Sequence, residues 1–209
     1  MTEVHRSTRS RKVRAVLAGG LVLGVGAAVT LAAWNDSEFA SGLFTAGQFD
    51  LQGSTTGATE GYTDHESAGG AAELTFTAPF DNLAPEDVVY APFWVRLAAE
   101  TTSPATLDLV TLDSTDGTGT NSENLSYEIY AIAVDATCDE TATEGTLLGS
   151  GDTLTDDPAV AGETVPLTIG DPTTEPGEAV LLCTVVTAGE DLEQGGDTTA
   201  VWQYTATSE

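Results

Sequence analysis

Residues 15–51, AVLAGGLVLGVGAAVTLAAWNDSEFASGLFTAGQFDL, decide how the rest of the chain is read. They open on 19 uncharged residues (15–33), pass a junction of small side chains, and end in a short stretch that alternates apolar and polar positions. Residues 1–14, MTEVHRSTRSRKVR, precede the apolar run as a basic flank, and Trp34-Asn35-Asp36 follow it as a polar and acidic one. A basic side that stays in and an acidic side that crosses give an N-in, C-out orientation. Nineteen residues also sit at the short end of a membrane-spanning helix. Gly19, Gly20, Gly24 and Gly26 weaken the run as a permanent anchor. Thr30-Leu31-Ala32 offers small or moderate residues at the −3 and −1 positions of a signal-peptidase site, so cleavage between Ala32 and Ala33 is the expectation. A retained anchor is the alternative, and either outcome places the remaining chain outside the cytoplasm.

Charge is divided at the same point. Five of the six basic residues and one of the 33 acids lie in the first 32 residues, so the rest carries Arg96 alone against 32 acids. Nucleic-acid binding needs clustered Lys and Arg and is excluded on that distribution. Contact with anionic membrane surfaces is disfavoured too, leaving the N-terminal run as the only membrane element. Such acidity favours solubility and repulsion between copies. An apolar content of 41% nevertheless provides for a core.

Beyond residue 51 the pattern is that of β-structure. Residues 54–71 are polar and Gly-rich, read as a flexible linker or loop. Residues 72–78 (AELTFTA) alternate Leu74 and Phe76 with threonines, as a half-buried strand does. Residues 88–97 (VVYAPFWVRL), 105–112, 125–134, 165–169, 179–186 and 198–207 read as further strands, with Pro92 demanding a bulge or an edge position. Residues 113–123 and 152–163 read as loops, and 190–197 as an acidic loop. Many short strands between Gly/Pro turns predict an all-β fold, an antiparallel jelly-roll-like sandwich, preceded by the N-terminal signal or transmembrane helix. The domain plan is signal peptide 1–32, extended segment 33–53, linker or loop 54–71, and sandwich 72–209.

Residues that carry chemistry are scarce. Cys138 and Cys183 form an even pair, which in an exported chain is expected to be a disulfide, with two free thiols or metal and redox chemistry as alternatives; no CxxC is present. His65 is the only histidine after the first 32 residues and falls in the Gly-rich stretch, which disfavours a multi-His zinc site and a Ser-His-Asp arrangement. There is no HExxH, GxSxG or P-loop. Carboxylates are too numerous for any two to stand out as a glycosidase pair. Acids, Thr and Asn in 113–123 suit a hard cation, but the spacing is not that of an EF-hand, and a solvated loop is the simpler reading. Arg96 is expected to pair with a carboxylate or stack on Trp94. The expectation is therefore a protein without catalytic residues, metal or cofactor.

The junction carries a resemblance. Ala32-Ala33-Trp34-Asn35-Asp36, Phe44-Thr45-Ala46-Gly47 and Phe49-Asp50-Leu51 are similar to the start of proteins exported with a SipW-type signal peptide, in the TasA/camelysin family of biofilm-matrix fibre proteins. Asp81-Asn82-Leu83-Ala84-Pro85-Glu86-Asp87 resembles that family's N-L-x-P-G-D turn, with Glu86 in place of Gly, and residues 201–207 resemble its final strand. The resemblance implies a secreted, non-enzymatic structural or adhesive subunit of the cell surface or extracellular matrix. It also implies assembly with copies of itself, in which a segment holding Phe44, Phe49, Asp50 and Leu51 adds as a strand to the next subunit. A monomeric cell-surface binding module of the same fold is the second expectation, and a secreted hydrolase the third. The signal peptidase is the one further partner implied.

Overall fold

A computed structural model describes residues 8–29, 37–43, 45–160 and 164–209. The chain divides into two units, 1–45 and 46–209. The described part of the first holds one helix, α1 (Thr8–Val29). Its basic residues all lie in the first two turns, leaving 15 uncharged residues, 15–29, in helical form. At 1.5 Å per residue these extend for about 22 Å, against about 30 Å of hydrocarbon. Among the described residues, no helix is long and apolar enough to cross a membrane. Phe39 and Leu43, farther along this unit, are almost fully exposed.

The second unit is an antiparallel β-sandwich. Among the described residues its strands are β1 (Leu51–Ser54), β2 (Val88–Leu97), β3 (Ala105–Thr118), β4 (Leu125–Ile132), β5 (Thr146–Gly151), β6 (Ala159–Val160), β7 (Val165–Leu167), β8 (Val180–Ala188) and β9 (Asp197–Ser208). One sheet has the order β1-β2-β8-β4-β5-β6 and the other β7-β3-β9. Six strands thus face three, where a symmetrical jelly roll sets four against four.

Alternation along the strands builds the core. Val89, Phe93, Val95 and Leu97 of β2, Leu125, Tyr127 and Ile129 of β4, and Leu182 and Val186 of β8 point inward to meet Leu107 and Leu109 of β3. Trp202 and Tyr204 of β9 close this layer from the opposite sheet, with Phe93 and Tyr204 ring centres 5.9 Å apart. Each fully buried Leu or Ile contributes roughly 1.5–3 kcal/mol. Gly53 of β1 lies directly over the Phe93 ring, where a Cβ would collide with it. The glycine therefore lets β1 close down on the core.

A second, smaller core lies on the outer face of the large sheet. Tyr130, Cys183 and Val185 are covered there by Ala142 and Cys138 from the β4–β5 connection. The expected disulfide, Cys138–Cys183, ties that connection to the centre of β8.

Four segments differ from their sequence reading. Residues 72–78 alternate in burial as expected, with Ala72, Leu74 and Phe76 packed on the core, yet they form no strand. Thr77 alone bonds to β2: its N–H donates to the Tyr90 carbonyl (2.9 Å) and its hydroxyl accepts the Tyr90 N–H (3.0 Å). Residues 113–118, read as loop, continue β3 because β9 pairs with them as far as Thr118. Residues 146–151, given no strand in the sequence reading, form β5, and the loop 152–163 contains β6. Pro92 sits within β2 without a bulge. It is tolerated because β1 covers only Trp94 to Leu97, so position 92 has no strand on that side.

Candidate functional site

Assembly was the expectation, so the residues that matter are those able to meet another chain. Ala32, Ala33 and Phe44 lie outside the described residues. The other three candidates for strand donation are engaged within their own sandwich. Leu51 opens β1 and pairs with Leu97. The Asp50 carbonyl accepts the Ala98 N–H (3.0 Å), and Gln48 bridges Thr101. Phe49, between them, remains 42% exposed. Burial, with Asp64 and then Glu66 nearby, raises the Asp50 carboxyl above its usual range. Within 33–53, the described contacts with the sandwich run from Gln48 to Ser54.

Residues 54–71 fold back over β1 as a loop. Gly53 and Thr63 exchange both backbone hydrogen bonds (3.1 and 3.0 Å), and the Ser54 hydroxyl donates to the Glu60 carbonyl (2.6 Å). Thr63 also fixes His65 through Oγ1 (3.2 Å), and the imidazole meets the Phe93 ring edge-on. This loop covers the outer side of β1, an edge that would otherwise offer free N–H and C=O groups.

β9 has no such cover. It is the outer strand of the small sheet, paired with β3 on one side and with no described strand on the other. Phe76 packs on Trp202 at 6.5 Å between ring centres, but residues 71–77 make no ladder with β9. From Thr198 to Ser208 the strand carries no charge, in a chain with 33 acids. Residues 39–49, FASGLFTAGQF, form an uncharged run of the same length. Threonine, valine and aromatic residues dominate β9, and it has none of the lysines or prolines that blunt natural edge strands.

Arg96 departs from both of its expected partners. On the outer face of β2 its guanidinium carbon lies 3.7 Å from the centre of the Tyr62 ring, in the loop over β1. Its Nε is buried without a hydrogen-bond partner, as is Nε1 of Trp94 two residues earlier. No described carboxylate pairs with it. Sequence reasoning found the residue but not its partner, since nothing local links positions 62 and 96.

One acid of 113–123, Asp116, serves the fold. Asp116 accepts from the Ser122 hydroxyl (2.6 Å) and N–H (3.0 Å) and from the Thr198 hydroxyl, binding β3, the turn after it and β9 together. Those bonds, first from Ser122 and then Thr198, hold its carboxyl below the usual range. Asn121 completes the junction by donating to the Glu193 carbonyl (3.0 Å) and accepting its N–H (2.8 Å). Among the described residues no group of three or more His, Cys, Asp or Glu side chains is placed to hold a metal ion.

All five tyrosines have raised pKa values, each chiefly through burial. Tyr127 is pushed up to about 12 by burial, helped by Asp156 and Asp157. Burial raises Tyr204 further, against a smaller opposing pull from the Thr184 hydroxyl.

No protein-family model matches the chain, and no curated protein matches it significantly.

Proposed function

We propose that this is an exported, non-enzymatic structural subunit that joins to copies of itself by strand addition, as the resemblance to SipW-exported matrix fibre proteins implies. The observation that carries the reading is β9, a 12-residue outer strand with no described strand on one side and no charge between Thr198 and Ser208. An extended peptide added to such an edge gains backbone hydrogen bonds along its length, and alternate side chains fill pockets. Residues 37–47 are the segment offered. Those of them that are described lie outside the sandwich strands and keep Phe39 and Leu43 almost fully exposed, and from residue 39 onward the segment brings no acid toward an already acidic partner. Phe49, Asp50 and Leu51 then act as the anchor of that tail on its own subunit.

Electron microscopy of the protein recovered from the cell exterior, with N-terminal sequencing of the same sample, tests the proposal. Fibres are expected, with a new N-terminus at Ala33. Deleting residues 37–47 is expected to leave a folded monomer. A wild-type protein that stays monomeric at every concentration, or fibres that persist without the segment, would sink the idea.

A further inference from the structure

Arg96 is the single Lys or Arg among 32 acids beyond residue 32, and among the described residues no carboxylate pairs with it. That is unexpected on electrostatic grounds, since one positive group in so negative a chain should attract a counter-charge from any flexible neighbour. The surrounding contacts hold the acids away. Across β1, Gln52 is the residue opposite Arg96, and its Nε2 donates to Asp64 Oδ1 at 3.2 Å, engaging that carboxylate elsewhere. The Tyr62 ring lies against the guanidinium, 3.7 Å from its carbon to the ring centre, and helps to hold it in place. Nε is buried, which leaves the two terminal nitrogens as the groups that another molecule can reach. A planar, pre-oriented pair of N–H donors matches the two oxygens of a carboxylate better than any other common acceptor. Arginine beside tyrosine and tryptophan is also the composition of strong contact points in protein interfaces.

We propose that Arg96, held on Tyr62, receives a carboxylate from a second copy of this chain. The occupant follows from charge. Where two copies meet, each presents many acids and one arginine, so Arg96 is the only side chain beyond residue 32 able to form an attractive ion pair across the contact. It lies beside β1, so it places a second point of attachment near the root of the tail. This inference rests on the reading of the protein as a self-assembling subunit.

Sedimentation velocity over a concentration series tests it, using the exported protein, R96Q and R96K at low and at high salt. At low salt R96Q is expected to need about tenfold more protein for half-assembly, because losing one partner of an interfacial charge pair acts directly on dissociation. R96K, which keeps the charge but loses the fork, should fall between R96Q and wild type. The gap should narrow as salt rises. Equal assembly of R96Q and wild type at low salt overturns the proposal. If R96Q fails to fold, R96K decides, and R96K equal to wild type overturns it. Assembly that is lost on deleting residues 37–47 but indifferent to position 96 defeats this inference alone. No assembly by wild type defeats it together with the reading it rests on.

Discussion

Glu86 occupies a backbone position made for glycine. Its φ is 70°, and Pro85 precedes it, the pairing of a type II turn; the Asp87 N–H returns to the Ala84 carbonyl at 3.1 Å. A residue with a Cβ is disfavoured in the left-handed region by about 1–2 kcal/mol, while glycine costs part of that in unfolded-chain entropy. Glu86→Gly should therefore stabilise the sandwich by about 0.5–1 kcal/mol, read as a higher urea midpoint with an unchanged slope. The tyrosines supply a second outcome at this scale. A phenol whose pKa is raised on folding favours the folded state below the unfolded value of 10, and that advantage is lost as pH climbs through the folded value, about 12 for Tyr127. Phenolate absorbance should stay low at pH 10 and then rise together with loss of the folded circular-dichroism signal. Independent titration at pH 10 in a folded protein would contradict the burial of these rings. Residue types were legible where one partner is obligatory, as with the two cysteines. Arg96 was not, because Tyr62 reaches it only once the loop has closed over β1.

Among the elements, the β4–β5 connection depends most on a single bond. The disulfide spans 45 residues and covers the outer face of β8. Its loss should cost roughly 4 kcal/mol in the chain-entropy model. Calorimetry of the C138A/C183A double variant checks this, and a melting temperature within a degree or so of wild type would show that the small outer core holds by itself. The strands illustrate what sequence pattern encodes. Residues 72–78 alternate in burial as a strand should, but alternation reports a buried face and says nothing of a neighbour to pair with. Residues 113–118 fail in the opposite sense. They are polar enough to read as loop, and they become strand because β9, 79 residues away at the Thr118↔Asp197 end, is long enough to pair with them. Short pieces such as β6, two residues long, exist through β5 and leave no local signature.

For the whole molecule, charge sets the conditions under which the proposed association would occur. With one cation and 32 acids beyond residue 32, copies repel at neutral pH, so assembly should strengthen with salt, acid or divalent cations, as light scattering across these conditions would record. Strongest assembly at low salt and neutral pH would refute this. The sandwich class and the split between an N-terminal helix and a β-unit could be read from composition and turn spacing. The partition into six strands and three could not, since it depends on which strands cross between sheets. That partition has a directional consequence. The tail leaves its subunit beside β1, an edge of the large sheet, while the open strand β9 is an edge of the small one. A contact made from two different surfaces repeats head to tail and need not close. A growing row would then be polar, with an unused tail at one terminus and a vacant β9 at the other. Subunits without residues 37–47 could still receive a tail but could not pass one on. Added in small proportion to intact protein, they should act as chain stoppers, shortening fibres in electron micrographs as their fraction rises while leaving the number of growing rows unchanged.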